Sequence, residues 1–213
     1  MANNPQDRDA WVAKRRGHVT ASRVGILTRR KKDGQPYAGY DDYLMEVVVE
    51  RLTEKAAEHY VSDAMQWGLD QEEAAAQHYA FETGQTVAYS DFVAHPAIEW
   101  AGASPDRLVG ADGLLEIKCP TSRTHIEFIR TEVIPEDYQW QMVWQMACTG
   151  RSWCDFMSYD PRLPVNLQAR IKRFHLCPDM LSQAEAAVRE ALAKIAETEA
   201  ALRGIDLGER RAA

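Results

Sequence analysis

Hydrophobic and polar positions along this chain change period several times, and each change marks an element. "DAWVAKRRGHVTASRVGIL" reads as helix, turn and helix, with Thr20 or Ser22 near the second N-cap. "RRKKDGQPYAG" has no apolar period and carries Gly and Pro, so it predicts a charged loop. "YDDYLMEVVVERLTEKA" returns to helical period. "DAMQWGLDQEEAAAQHYAFETG" predicts a further helix, closed by Gly84 at the C′ position. Its expected core face is Ala74, Ala75, Tyr79 and Phe81, with Glu72, Glu73 and Gln77 elsewhere.

Between 86 and 119 the pattern shortens to that of strands. "TVAYSDFVAHP", "IEWAGASPDRLVG", the turn "ADG" with its Asp112-Gly113 pair, and "LLEIKCP" predict an antiparallel meander. "EDYQWQMVWQMACTG" predicts a helix ending at Gly150, and "SWCDFMSYDPR" and "LQARIKRFHL" predict two strands. The tail is a long amphipathic helix with Asp179 as N-cap, Gly204 as stop, and an apolar stripe of Leu181, Ala184, Val188, Ala191, Leu192 and Ile195. This order predicts an α+β fold, α/β-like in having a mixed central sheet flanked by helices, as one domain over 1–213.

Composition changes this picture little. The 213 residues are 46% apolar and 27% charged, ordinary for a globular chain. No run approaches the 18 consecutive apolar residues of a membrane span, and the polar "MANNPQDRDAWVAKRR" lacks an apolar signal core, so an intracellular location is expected. Cys119, Cys148, Cys154 and Cys177 form no C-x-x-C pair and no zinc spacing, which predicts reduced thiols. The six histidines at 18, 59, 78, 95, 125 and 175 form no H-E-x-x-H motif.

Charge is more informative. A net charge of −7 argues against a histone-like nucleic-acid binder. Yet "KRRGH" and "RRKK" place seven cations in the first 32 residues. These are either two solvated patches or a local phosphate-contacting surface on an acidic body.

The chemistry concentrates in "SPDRLVGADGLLEIKCP". Side chains alternate along a strand, so Glu116 and Lys118 share one face while Leu115 and Ile117 point into a core. The hairpin folds Asp106 back towards Glu116. Two close carboxylates resist joint ionisation unless a cation is supplied, and all-oxygen donors favour a hard ion such as Mg²⁺ or Mn²⁺. Lys118 can orient or deprotonate a polarised water, or neutralise developing phosphate charge; the set suits phosphodiester hydrolysis. The plain alternative is a surface hairpin with a Glu/Lys ladder. Glu72 is a helical carboxylate that could serve the same site, with Glu73 competing for the role.

Five blocks in order, "WVAKRRGHVTASRV", "WGLDQEEAAAQHYAFETG", "ASPDRLVGADGLLEIKCP", "YQWQMVWQMACTG" and "FMSYDPR", resemble lambda exonuclease and its YqaJ-like viral-recombinase relatives in the PD-(D/E)XK nuclease superfamily. The resemblance covers about Trp11 to Arg162. It implies a PD-(D/E)XK nuclease core and a Mg²⁺-dependent 5′→3′ exonuclease on duplex DNA ends. It also implies a 3′ single strand left for an annealing protein, a homotrimeric ring, and a phage or prophage protein in the bacterial cytoplasm. Asp106, Glu116 and the Ile117 carbonyl then look like metal ligands, Lys118 like the catalytic lysine, and Glu72 like a ligand of water or a second metal. Arg15, Ser22 and Ser104 match the 5′-phosphate pocket, Met65 the wedge at the terminal base pair, and Gln141 a glutamine of the late helix; a second glutamine common two positions later is Val143 here. Trp67, Trp140 and Trp144 are expected in the core rather than stacked on bases. A structure- or sequence-specific endonuclease of the superfamily, or a non-catalytic DNA-binding or docking module, are the competing functions.

Overall fold

A computed structural model describes residues 5–57 and 62–205, with side chains from Ala10 onward; His59 and both ends of the 1–213 span lie outside the described residues. The chain begins with α1 (Pro5–Arg15), β1 (Val19–Thr20), a 3₁₀ turn (Ala21–Arg23), α2 (Val24–Thr28), α3 (Tyr40–Thr53) and α4 (Asp63–Thr83). Five short strands follow: β2 (Val87–Tyr89), β3 (Val93–Ala94), β4 (Ala101–Ala103), β5 (Arg107–Val109) and β6 (Gly113–Lys118). Then come α5 (Ser122–Thr131), α6 (Glu136–Thr149), β7 (Trp153–Tyr159), a 3₁₀ turn (Val165–Leu167), β8 (Ala169–His175) and α7 (Pro178–Arg203).

The principal sheet has the order β2-β5-β6-β7-β8. All neighbours are antiparallel except β6 and β7, which run parallel. A parallel pair needs a crossover, and α5 with α6 supplies it. Ala75, Ala76 and Tyr79 of α4 pack on one face of the sheet against Leu115, Ile117 and Met157. Phe128 of α5 and Met142 and Met146 of α6 pack on the other against Leu114, Cys154 and Phe156. The opposite side of α6, with Trp140, Val143 and Trp144, joins α2, α3 and α7 in a separate helical core. This is the expected mixed sheet flanked by helices, with the long C-terminal helix in place.

Several local expectations are corrected. The 86–119 segment is not one meander. It breaks at Ser90–Asp91 and again at Ser104–Asp106, and its pieces divide between the principal sheet and a small one of order β1-β4-β3. In the small sheet β1 pairs parallel with β4, a two-residue strand that no alternation could signal. Thr20 is buried and extended before the 3₁₀ turn but makes no side-chain cap, and Ser22 lies exposed within that turn. Cys177, not Asp179, is the N-cap of α7, because Pro178 takes the first helical position where its missing N–H costs nothing. On α4 the buried set is Ala75, Ala76 and Tyr79, at helical spacing. Ala74 is exposed, and so is Phe81, by 90%. Finally, α5 occupies a stretch that the hydrophobic pattern left unassigned; Thr121 caps it by accepting a hydrogen bond from the Thr124 backbone N–H.

Candidate active site

Strand β6 is covered on both faces, so its apolar run is continuous apart from one charge in the middle. Glu116 is fully buried, on the same face as Leu114 and under α6. An unpaired buried carboxylate would be costly. Here Gln141 Nε2 donates to its Oε1 at 2.7 Å and Gln145 Nε2 to its Oε2 at 2.6 Å, and the Lys118 ammonium hydrogen-bonds Oε1 as well. Leu115 and Ile117 face the α4 side, as alternation requires. The charged face of this strand is therefore an enclosed site and not a solvated ladder.

Register explains how Asp106 reaches it. In the β5–β6 hairpin Arg107 pairs with Leu115 and Leu108 with Leu114. One step further along the same register sets Asp106 opposite Glu116. The ladder has ended there, and the Asp106 side chain takes its place: Oδ2 accepts the Ile117 backbone N–H at 2.7 Å. Asp106 stands at the start of β5, not at the end of a strand running through from Ala101. Burial, and then the charge of Glu116, raise the Asp106 carboxyl well above the usual range, with Glu72 adding to the effect. Lys118 opposes this shift only in part. Burial pulls the Lys118 ammonium down, but Glu116 and Asp106 outweigh it and hold it well above the ordinary lysine value. Lys118 also lies 4.9 Å from the Tyr138 ring centroid.

Two neighbouring carboxylates, Glu116 fully buried and Asp106 half-buried, resist joint ionisation, and such a pair would suit a divalent cation. The donors are hard oxygens. Among the described residues no cluster of three or more His, Cys, Asp or Glu side chains is placed to hold a metal. Mg²⁺ is commonly bound through one or two carboxylates while keeping several waters, so a pair suffices. Next to Lys118, the Cys119 thiol is pushed up to about 12 by burial and the nearby acids. All four cysteines are free thiols, as expected.

Glu72 lies on the same face of α4 as Ala75, Ala76 and Tyr79, which aims it at the sheet; Glu73 is exposed. Arg107 Nη1 donates to Glu72 Oε1 at 2.5 Å and Nη2 to Glu73 Oε2 at 3.0 Å. Of the two acids, Glu72 is the one whose charge acts on Asp106.

The remaining candidates divide. Arg15 is half-buried, its guanidinium 4.1 Å from the Trp11 ring centroid. Burial lowers its pKa, opposed by Tyr43, Glu50 and Asp106, so its charge is felt at the site. The Ser104 hydroxyl, two residues before Asp106, is buried and has no hydrogen-bond partner among the described residues. Ser22 is exposed, Met65 is 53% exposed near the start of α4, and no hydrogen bond or ion pair among the described residues ties either to the carboxylates. Val143 is fully buried in the helical core and cannot reach the site. The glutamine that does so is Gln145, which the motif reading missed. Its signal was present in the four-residue repeat of "WQMVWQM", because i and i+4 share a helix face. Trp140 and Trp144 are core residues as expected, whereas Trp67 is half-buried with the Arg162 guanidinium 4.6 Å from its ring centroid. In the basic clusters Lys14 pairs with Asp91, Arg29 with Asp137 at 3.3 Å and Arg30 with Glu190 at 3.4 Å; Lys31 and Lys32 are exposed.

The chain is similar to an alkaline exonuclease from Laribacter hongkongensis, with a TM-score of 0.85 and 40% identity over 92% of this chain and 96% of that one. The same values hold for that exonuclease in complex with dAMP. A phage-related exonuclease from Haemophilus somnus 129PT shares the fold, with a TM-score of 0.68 at 12% identity over 87% of this chain and 96% of that one. No curated protein matches. The model of the YqaJ-like viral recombinase domain matches residues 10–152, a span that holds Glu72, Asp106, Glu116, Lys118 and both site glutamines, and by that match the chain belongs to the YqaJ-like viral recombinase domain family.

Proposed function

We propose that this chain is a Mg²⁺-dependent exonuclease, with Mn²⁺ able to substitute, that degrades one strand of linear duplex DNA from its 5′-phosphorylated end and leaves a 3′ single strand. The observation that carries the reading is the enclosed group of Asp106, Glu116 and Lys118, with Glu72 beside it. The similarity to a bacterial alkaline exonuclease across nearly the whole chain supports the same reaction class, and the dAMP bound to that relative is of the size that stepwise degradation releases.

In this reading Asp106, Glu116 and the Ile117 carbonyl hold the cation. When bound, Mg²⁺ supplies a polarised water and charge neutralisation at the phosphate. Gln141 and Gln145 fix the Glu116 carboxylate from behind. Lys118, kept as an ammonium by its two acids, faces the charge that develops on the phosphate oxygens. Glu72 accepts a hydrogen bond from the attacking water, or serves a second metal. Arg15, the Ser104 hydroxyl and Ser22 grip the terminal 5′-phosphate, which carries more charge than an internal diester. Met65 wedges the terminal base pair. The chain works as a homotrimeric ring, in a bacterial cytoplasm as a phage or prophage protein, and hands its 3′ strand to a single-strand annealing protein. No helix among the described residues is long and apolar enough to cross a membrane.

One assay tests the reading: linear duplex with a 5′-phosphate, linear duplex with a 5′-hydroxyl, and closed circular duplex, each with Mg²⁺. The expected order is fast, slow and uncut. Cleavage of the circle at a rate comparable to the phosphorylated linear duplex would make the protein an endonuclease.

A further inference from the structure

Arg107 is the residue after Asp106, and its side chain is only 4% exposed. No motif gave it a role. Its Nη1 reaches two acceptors, Glu72 Oε1 at 2.5 Å and the Asp106 carbonyl oxygen at 2.6 Å. Its Nη2 reaches Glu73 Oε2 at 3.0 Å. The guanidinium lies 4.0 Å from the Tyr89 ring centroid, and the Tyr89 hydroxyl donates to Glu73 in turn. Consecutive helix residues point about 100° apart, so Glu72 and Glu73 would ordinarily diverge. A rigid planar fork gathers both. Glu72 is held through one oxygen only: among the described residues its Oε2 makes no hydrogen bond.

We infer that Arg107 is the positioning residue for Glu72, tying the helical acid by one oxygen to the strand that carries Asp106 and leaving the other oxygen for water or cation. The inference rests on the hydrolytic reading of the site. It assigns the two cations of the site separate duties: Lys118 answers Glu116 and Asp106, and Arg107 answers Glu72. A guanidinium that merely fastened α4 to the sheet would have no need to span Glu72 and the backbone of the residue that reaches the site. That simpler role makes different predictions.

The test is a double-mutant cycle on the full-length protein with saturating Mg²⁺ and 5′-phosphorylated duplex. It is accompanied by thermal melts and by calorimetric titration of Mn²⁺ into the protein without DNA. Arg107→Met is expected to lower kcat by about tenfold or more with KM for DNA within about twofold, and Arg107→Lys to recover part of the loss. Mn²⁺ binding is expected to weaken in Arg107→Met, because Glu72 is no longer held near the cation. In a Glu72→Gln background, Arg107→Met should cost less than about threefold more, since no carboxylate remains to be placed. Glu73→Gln is expected to keep kcat within about twofold, and it carries the test together with Arg107→Lys should Arg107→Met fail to fold. An equal loss from Arg107→Met in both backgrounds, unchanged kcat in Arg107→Met or in Glu72→Gln, or a Glu73→Gln loss as large as that of Arg107→Met would each overturn the inference. Full activity in Lys118→Ala would instead overturn the hydrolytic reading beneath it.

Discussion

Replacing Arg15 by Ala separates recognition of the strand end from general DNA binding. The structure sets the expected size. The guanidinium is half-buried against Trp11, and among the described residues it has no carboxylate at ion-pair distance. Its charge is therefore not committed to an ion pair, though Glu50 and Asp106 act on it at longer range, and it can meet a bound phosphate. A hydrogen bond to a charged group contributes about 1.5–3 kcal/mol. At about 1.4 kcal/mol per decade, that is a loss of about tenfold to a hundredfold. The loss should fall only on ends that carry a phosphate. Initial rates on matched duplexes, 5′-phosphorylated and 5′-hydroxyl, give the ratio directly. Arg15→Ala should collapse that ratio towards one by slowing the phosphorylated substrate, with the hydroxyl substrate changed by less than about twofold. Arg15→Lys should keep part of the preference, because an ammonium is a point charge without the fork. If Arg15→Ala slows both substrates by the same factor, Arg15 is a general DNA contact or a fold residue, and the reasoning from its uncommitted charge is wrong.

Three further outcomes follow from the site. Asp106→Asn should abolish cleavage yet raise the melting temperature without divalent cation, because it removes the buried charge that burial and Glu116 disfavour. The folded pKa lies above the unfolded value of 3.8, so the ionised group penalises the fold increasingly as pH rises from there; melts should show the variant's advantage growing from acid to neutral pH, and an advantage greatest in acid would refute it. Lys118→Ala should eliminate Mg²⁺-dependent hydrolysis and also lower the melting temperature, since Glu116 loses its ammonium partner in a fully buried position; retained cleavage at the wild-type rate would refute the site. DNA affinity should fall steeply with added salt despite the net charge of −7, through exposed cations such as Lys31 and Lys32; affinity that stays flat across a salt titration would remove the basic clusters from the interface.

Much of the site could be read from the chain because it is built on short-range rules. Alternation put Glu116 and Lys118 on one face, and a hairpin folded Asp106 onto them, although its turn spans 110–112 rather than the expected Asp112-Gly113 pair, Gly113 being already paired with Val109 in β6. What could not be read came from tertiary packing. Gln145 matters because α6 crosses that particular strand, and helical period alone does not say which strand a helix covers. The choice between Glu72 and Glu73 depended on which face of α4 meets the sheet, and the expected face was wrong in Ala74 and Phe81 while right in Ala75 and Tyr79. Arg107 had no local signature, since its carboxylate partners lie 34 and 35 positions away. The small sheet was lost because its strands are two and three residues long.

The pairing of β5 with β6 has a consequence for how such sequences diverge. Asp106 meets Glu116 because both flank the same ladder, in which Val109 pairs with Gly113 beside the turn. The residues of the turn itself take no part in that meeting. Lineages can therefore lengthen the hairpin tip without moving either acid, while a single residue gained or lost inside β5 or β6 would turn one carboxylate to the wrong side of the sheet. Across relatives the interval between the two acids is free to drift, and what inheritance must preserve is the count of paired rungs between them.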